Sequence, residues 1–309
     1  MKRICFHDYG PTEMLQYEDA EMPVAGPGQL LVRVAAVSVN PVDWKIGSGA
    51  ARAVVTDPLP LVPGGDLAGT IEAVGDGVAG WSVGDAVIAQ IGLWGAYAQY
   101  VAIDAAAAAK KPANLSFVEA AALPLAALTV LQGFEADGRD LAGLNILIHN
   151  AAGGVGSIAV QYAKALGARV VATASRSNAA FVTSLGADEV VDFRETPVAS
   201  HARDIDILMD LVGNPAALEL WSLVKPGGSV IRIAGGADAP PSAESDGIRA
   251  LKVRVRPNGA QLGRITELVE KGAIKPEIAK VFPLFSAAEA QDFSRTGRVR
   301  GKIVLETGA

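Results

Sequence analysis

Three glycines, Gly153, Gly154 and Gly156, close an apolar run in the segment LNILIHNAAGGVGSIAVQYAK, residues 144–164. Side chains missing at those positions let backbone N–H groups come close to an anion, and a helix opening there aims its positive dipole end at the same point. That chemistry holds a dinucleotide pyrophosphate, with Asn150, Gly153, Gly154, Val155 and Gly156 as the candidate cradle. A glycine turn between a strand and a helix is common, however, and alone it reports only tight packing.

The flanking elements decide the matter. Arg169–Thr173 reads as a strand, Ala179–Leu185 as a helix closed by Gly186, and Glu189–Phe193 as a third strand. Ile205–Leu211 reads as a further strand leading through Gly213 to a helix near Ala216–Leu223, and Ser229–Ala234 follows Pro226-Gly-Gly as another strand. Alternating strands and helices predict an α/β fold with a doubly wound parallel sheet of the Rossmann type. Gly235 and Gly236 would then lie at the carboxyl edge of the sheet, where ligands bind in such folds, or simply turn the chain.

Charge discriminates between the two nicotinamide dinucleotides. An acid about 20 residues past the glycine turn would bind free ribose hydroxyls. Between Asp140 and Asp188 this chain has no carboxylate, but it has Lys164, Arg169 and Arg176. A 2′-phosphate suits Arg176 and the Ser175 and Ser177 hydroxyls, so NADPH is the expected cofactor. The alternative is that Arg176 is an ordinary solvated residue opening a helix.

The whole chain has 309 residues, 50% hydrophobic and 19% charged, enough for about two domains. A net charge of −6 argues against a general nucleic-acid or anionic-membrane binder. The single Cys5 permits no internal disulfide, fits a reducing, cytoplasmic setting, and offers no basis for a metal cluster. No apolar run is long enough to span a bilayer; uncharged Ala120–Phe134 is broken by Pro124 and reads as buried helix. Short apolar runs before residue 115 predict a barrel-like sheet with little helix. Leu251–Val255, a helix at Gln261–Lys271, a short helix at Phe285–Phe293 and a strand at Lys302–Leu305 complete the chain.

Six motifs occur in order: Asn40-Pro-Val-Asp43-Trp-Lys45, Pro63-Gly-Gly-Asp66-Leu-Ala-Gly69, Val83-Gly-Asp85, Gly95-Ala-Tyr97-Ala, Ala121-Ala-Leu-Pro124 and Gly301-Lys-Ile-Val-Leu305. In them the chain resembles the zinc-independent medium-chain dehydrogenase/reductases, particularly quinone oxidoreductases and alkenal or enone reductases. The resemblance implies a GroES-like, mainly β substrate domain over residues 1–118, completed by about 246–309, and a Rossmann NADP-binding domain over 119–245. Zinc-bearing relatives place a cysteine at Asn40 and a His-Glu pair at Gly65-Asp66, so no catalytic metal is expected. His7, His149 and His201 are scattered, and His149 reads as a packed or backbone-bonded imidazole.

What remains is hydride transfer to an acceptor whose own π-system carries the incoming charge, a quinone or a conjugated enone. The resemblance implicates Lys45 in substrate or cofactor contact, with Asn40 facing the cleft beside it and Thr129 meeting the nicotinamide end. Lys45 equally reads as a solvated loop residue, and Asn40 as a turn-former. Asp43 and Asp66 read as acceptors of turn amides, and Tyr97, in the alternating stretch Gly95–Val101, as a half-buried packing residue. Asn150, where many relatives have Ala or Gly, would donate to the cofactor or fill the corner; Phe193 replaces a tyrosine of several quinone reductases. A non-catalytic NADPH-binding protein and an RNA binder are the other readings, the latter opposed by the net charge. Kinship implies a homodimer, with Ser229–Ala234 as the edge strand that pairs across a two-fold axis.

Overall fold

The computed structural model describes residues 1–50, 55, 57–233 and 239–309, and the chain separates into two units of different construction. The first comprises Met1–Leu125, Arg256–Gly272 and Pro276–Ala309; the second comprises Ala126–Val255 and Ala273–Lys275.

The first unit opens with the antiparallel hairpin of β1 (Lys2–Phe6) and β2 (Leu15–Asp19). Strand β3 (Gln29–Val39) is the spine of a seven-stranded sheet that also holds β4 (Asp66–Val74), β5 (Ala86–Gln90), β6 (Tyr100–Asp104) and β7 (Ala108–Lys110). Leu30, Val32, Val34 and Val37 of β3 enter one apolar core with Leu67, Ile71 and Ile303, and that burial fixes the register of the strand. Two short helices belong here, α1 (Pro41–Gly47) and α2 (Phe117–Ala121). Helix α1 departs from the sequence expectation of a turn: Pro41 sits at its first position, and Asn40 and Asp43 close a capping box around it.

Helix α3 (Pro124–Asp137) carries the chain into the second unit. There follow β8 (Asn145–His149), α4 (Gly154–Ala165), β9 (Arg169–Thr173), α5 (Arg176–Ser184), β10 (Glu189–Val191), β11 (Ile205–Asp210), β12 (Val224–Arg232), α6 (Pro241–Ser245) and β13 (Arg249–Lys252). Strand order is β10-β9-β8-β11-β12-β13, all pairings parallel, so the order reverses between β8 and β11. This is the doubly wound Rossmann arrangement, with its ligand crevice expected at that switch point. Ile146, Leu147 and Ile148 are all fully buried, as a strand covered on both faces requires.

Four local expectations change. Helix α5 starts at Arg176 rather than Ala179, and the segment ending at Leu223 is a 3-10 helix, Pro215–Leu223. The third strand stops at Val191 because the Asp192 carboxylate accepts from the Arg194 N–H and turns the chain. The stretch from Ser229 lies inside the sheet, paired on both sides within β12, and the edge strand is β13.

The chain then returns to the first unit with α7 (Gly259–Glu270), β14 (Ile278–Pro283), α8 (Ala287–Arg295) and β15 (Lys302–Glu306), where β15 pairs antiparallel with β3. No helix among the described residues is long and apolar enough to cross a membrane.

Candidate functional site

In the second unit, β8 delivers the chain to Asn150, which holds a left-handed backbone with φ of 68°. Asparagine tolerates that conformation better than most residues. Its carbonyl accepts from the Gly153 N–H at 3.2 Å, and its own N–H donates to Thr173 Oγ1 at 3.1 Å, tying the turn to the end of β9. Asn150 therefore forms the corner. The N-cap of α4 is Gly153, which has no side chain to satisfy the first-turn amides. A Cβ on Gly156 would stand 2.2 Å from the Asn150 carbonyl oxygen and 2.7 Å from Ala151 Cα, so only glycine lets the helix approach the turn so closely. Bare helix amides and a glycine-only approach fit a pyrophosphate.

Just past β9, Ser175 occupies the N-cap position of α5 without a side-chain cap hydrogen bond, and its hydroxyl lies 3.1 Å from that of Ser177. Arg176 follows with its side chain 83% exposed and 3.8 Å from Glu195. A residue that sequence reasoning missed stands beside it: Asp192 accepts from the Arg176 backbone N–H at 2.7 Å. Hydrogen bonds from the Arg194 and Arg176 amides hold that carboxyl below its usual range. A phosphate arriving here would meet the Asp192 carboxylate, with Glu195 close to Arg176, and the Arg194 and Arg176 guanidiniums both act against the Asp192 charge. The signal for Asp192 was its place at the end of the third strand.

His149 at the end of β8, Phe193 and Val198 from the segment after β10, and Asn214 and Leu220 from the segment after β11 line a cavity of about 330 Å³. His149 is packed, as expected, but bonded to a side chain: its Nδ1 lies 2.7 Å from Thr173 Oγ1, and Phe193 meets its ring edge-on at 5.7 Å. Burial lowers its pKa. Thr129 is buried on α3, and Gly235 and Gly236 lie outside the described residues.

The first unit holds a closed polar group. Pairing of β3 with β4 sets Ser38 opposite Asp66, and pairing of β15 with β3 sets Ile303 opposite Val39, bringing Lys302 to Asn40. Asp66 Oδ2 accepts from Ser38 Oγ at 2.6 Å and from Asn40 Nδ2 at 2.9 Å; its other oxygen accepts from the Leu125 N–H at 2.8 Å. Lys302 Nζ donates to Asn40 Oδ1. Alongside, Asp43 Oδ2 accepts from the Asn40 N–H and from the Tyr97 hydroxyl, each at 2.8 Å. Burial pushes the Asp43 carboxyl up to about 7, raises Asp66 against the pull of Lys302, and lowers Lys302.

The asparagine amide is thus engaged at both ends and only 4% exposed, while Lys45, on the same helix, is exposed with Nζ 5.4 Å from the Trp44 ring. Asp43 binds a turn amide as expected; Asp66 binds one amide and two side chains. Tyr97 is fully buried and precedes β6, correcting the half-buried strand position; Gly64 makes room, since a Cβ there would stand 2.2 Å from the ring. Cys5 also departs from expectation: its sulfur, a His7 nitrogen and a Glu18 oxygen all lie within 4.8 Å of one another.

Two family profiles match: "Alcohol dehydrogenase GroES-like domain" over residues 26–113 and "Zinc-binding dehydrogenase" over 185–305. The second name transfers no ligand set, since residues 185–305 contain no cysteine and one histidine, His201, which is bonded to Glu189. A 2-methylene-furan-3-one reductase of Solanum lycopersicum is 36% identical, across 99% of this chain and 79% of its own length. An NADPH-dependent alkenal/one oxidoreductase of Arabidopsis thaliana is 33% identical with the same two coverages. The solved Escherichia coli quinone oxidoreductase complexed with NADPH superimposes with a TM-score of 0.90 at 27% identity, covering 99% of this chain and 100% of that one.

Proposed function

The chain belongs to the zinc-independent medium-chain dehydrogenase/reductases, in the group of quinone oxidoreductases and alkenal/enone reductases, and from that premise we propose that it reduces quinones or α,β-unsaturated carbonyls with NADPH. The observation that carries this reading is the cradle, where uncapped amides of α4 and the close approach at Gly156 suit a pyrophosphate. Bound NADPH supplies the hydride. The second unit's residues bind and orient it: Gly153, Gly154, Val155 and Gly156 hold the diphosphate, Ser175 and Arg176 the 2′-phosphate, and the cavity beside His149 and Phe193 the adenosine, with Thr129 toward the nicotinamide.

On the substrate side, Lys45 is the exposed cation that stabilises negative charge developing on the acceptor oxygen. Asn40 supports it indirectly, from the N-cap position of the helix that carries it, where its N–H donates to Asp43. No metal takes part: at the position of the relatives' ligands Asn40, Asp66 and Lys302 satisfy one another. We further infer a homodimer through the outer edge of β13, whose unpaired backbone groups would be satisfied by its copy. Sedimentation as a monomer at micromolar concentration would rule that out.

The test is a spectrophotometric screen of NADPH and NADH against quinones, enals and enones, with wild type and Lys45→Ala. NADPH oxidation is expected to accelerate with at least one class, and the variant to lose rate without losing NADPH affinity. NADPH that binds but is not oxidised by any acceptor would refute the activity and leave only the binding.

A further inference from the structure

The β1–β2 hairpin carries three ligand-type side chains that the hydride chemistry does not use. Alternation along an extended chain sets Cys5 and His7 on one side, and the pairing of Arg3 with Glu18 places the glutamate diagonally across from Cys5. His7 Nε2 lies 2.8 Å from Glu18 Oε2, and the Cys5 sulfur completes a triangle whose atoms all lie within 4.8 Å of one another. Among the described residues this is the one group of three such ligands.

We propose that Cys5, His7 and Glu18 bind a thiophilic divalent cation of the zinc class, with a water in the fourth position. Three protein ligands of sulfur, imidazole and carboxylate type are a recognised zinc donor set, and tetrahedral zinc would place such atoms about 3.3 to 3.7 Å apart. His7 and Glu18 have side chains 45% and 23% exposed, so they have room to draw in toward the buried sulfur. Glu18 is already supported from behind: its other oxygen accepts from Arg3 Nε at 2.9 Å and Nη2 at 2.7 Å. A ligating carboxylate held by an outer hydrogen-bond donor is the usual arrangement in metal sites.

Proton balance is simple. The cation replaces the Cys5 thiol proton, which leaves to solvent, and His7 ligates through the Nε2 lone pair with its proton on Nδ1. A cation bonded to the sulfur takes the place of the thiol proton, since the thiolate is the ligating form. The bound ion would join β1 to β2, since Cys5 and His7 come from one side of the hairpin and Glu18 from the other. It shares no residue with the Asn40–Asp66–Lys302 group and has no part in hydride transfer.

Cobalt reports thiolate ligation directly. Full-length protein stripped of metal is titrated with Co²⁺ and then with Zn²⁺ as competitor. Expected are a sulfur-to-cobalt charge-transfer band saturating at one equivalent, its displacement by zinc, and its absence in Cys5→Ser. Because Cys5 is buried, His7→Ala is the second variant; its exposed side chain can be removed without disturbing the core, and Zn²⁺ affinity should fall at least about tenfold. No band in the wild type, a band that persists in Cys5→Ser, or unchanged affinity in folded His7→Ala would overturn the assignment.

Discussion

The ε-ammonium of Lys302 lies 3.8 Å from Asp66 Oδ2, with side-chain exposures of 8% and 0%. Each charge is therefore balanced by the other and by Asn40, with little help from water. Lys302→Met would leave the Asp66 carboxylate buried without a cation, which typically costs about 3–5 kcal/mol. Urea denaturation at neutral pH should show a loss of that order, and adding Asp66→Asn should recover part of it. A Lys302→Met protein as stable as wild type would mean that the ammonium contributes nothing net.

Asp43 makes stability depend on pH in an unusual direction. Its carboxyl is raised from an ordinary 3.8 to about 7 by burial. Below about pH 4 it is protonated in folded and unfolded chains alike, and its stabilising contribution is complete. Between there and about pH 7 the unfolded chain releases the proton while the folded one keeps it, so stability falls as pH rises; above about 7 the contribution is gone. The difference in unfolding free energy between wild type and Asp43→Asn should shrink by about 1 kcal/mol per pH unit across that window. Denaturation curves with parallel pH profiles for the two proteins would show that Asp43 does not titrate this way.

These two groups mark where the sequence stops being readable. The Rossmann half was legible because its signals are local: the apolar run of β8, the glycines, and a helix beginning at once. Lys302 and Asn40 are 262 positions apart, and only the pairing of β15 with β3 brings them together. Asp192 reaches Arg176 across 16 positions through the parallel pairing of β10 with β9. Tyr97 misled because alternation from Gly95 to Val101 looks like a strand, whereas the space above Gly64 takes the ring. Cys5, His7 and Glu18 looked unrelated in sequence until the hairpin brought Glu18 back beside the other two.

Gly156→Ala tests the cradle. The added carbon would meet backbone atoms of Asn150 and Ala151 at 2.2, 2.7 and 2.9 Å, and backbone cannot rotate aside as a side chain can. The turn or the helix start must shift, at a cost of about 1–3 kcal/mol in stability. The displaced amides should weaken NADPH binding about tenfold or more, read by quenching of protein fluorescence. A folded variant that binds NADPH as wild type does would show that phosphate is held elsewhere.

On the proposed reading, coenzyme choice turns on the balance of Arg176 and Arg194 against Asp192. The Arg176 guanidinium is 83% exposed and lies 3.8 Å from Glu195, whereas the Asp192 carboxylate accepts from the Arg176 amide at 2.7 Å. Removing this cation leaves only Arg194 to oppose the fixed anion facing a dianionic 2′-phosphate, and the hydroxyls of Ser175 and Ser177 carry no charge to help it. Arg176→Ala should therefore lower the ratio of kcat/KM for NADPH over NADH by about tenfold to a hundredfold, mainly through KM for NADPH. NADH, which brings no phosphate to this corner, should be used almost as before. If the ratio stays put, the arginine is a solvated residue at the head of α5, and the preference for NADPH must come from Arg194, the serine hydroxyls and the α5 amides.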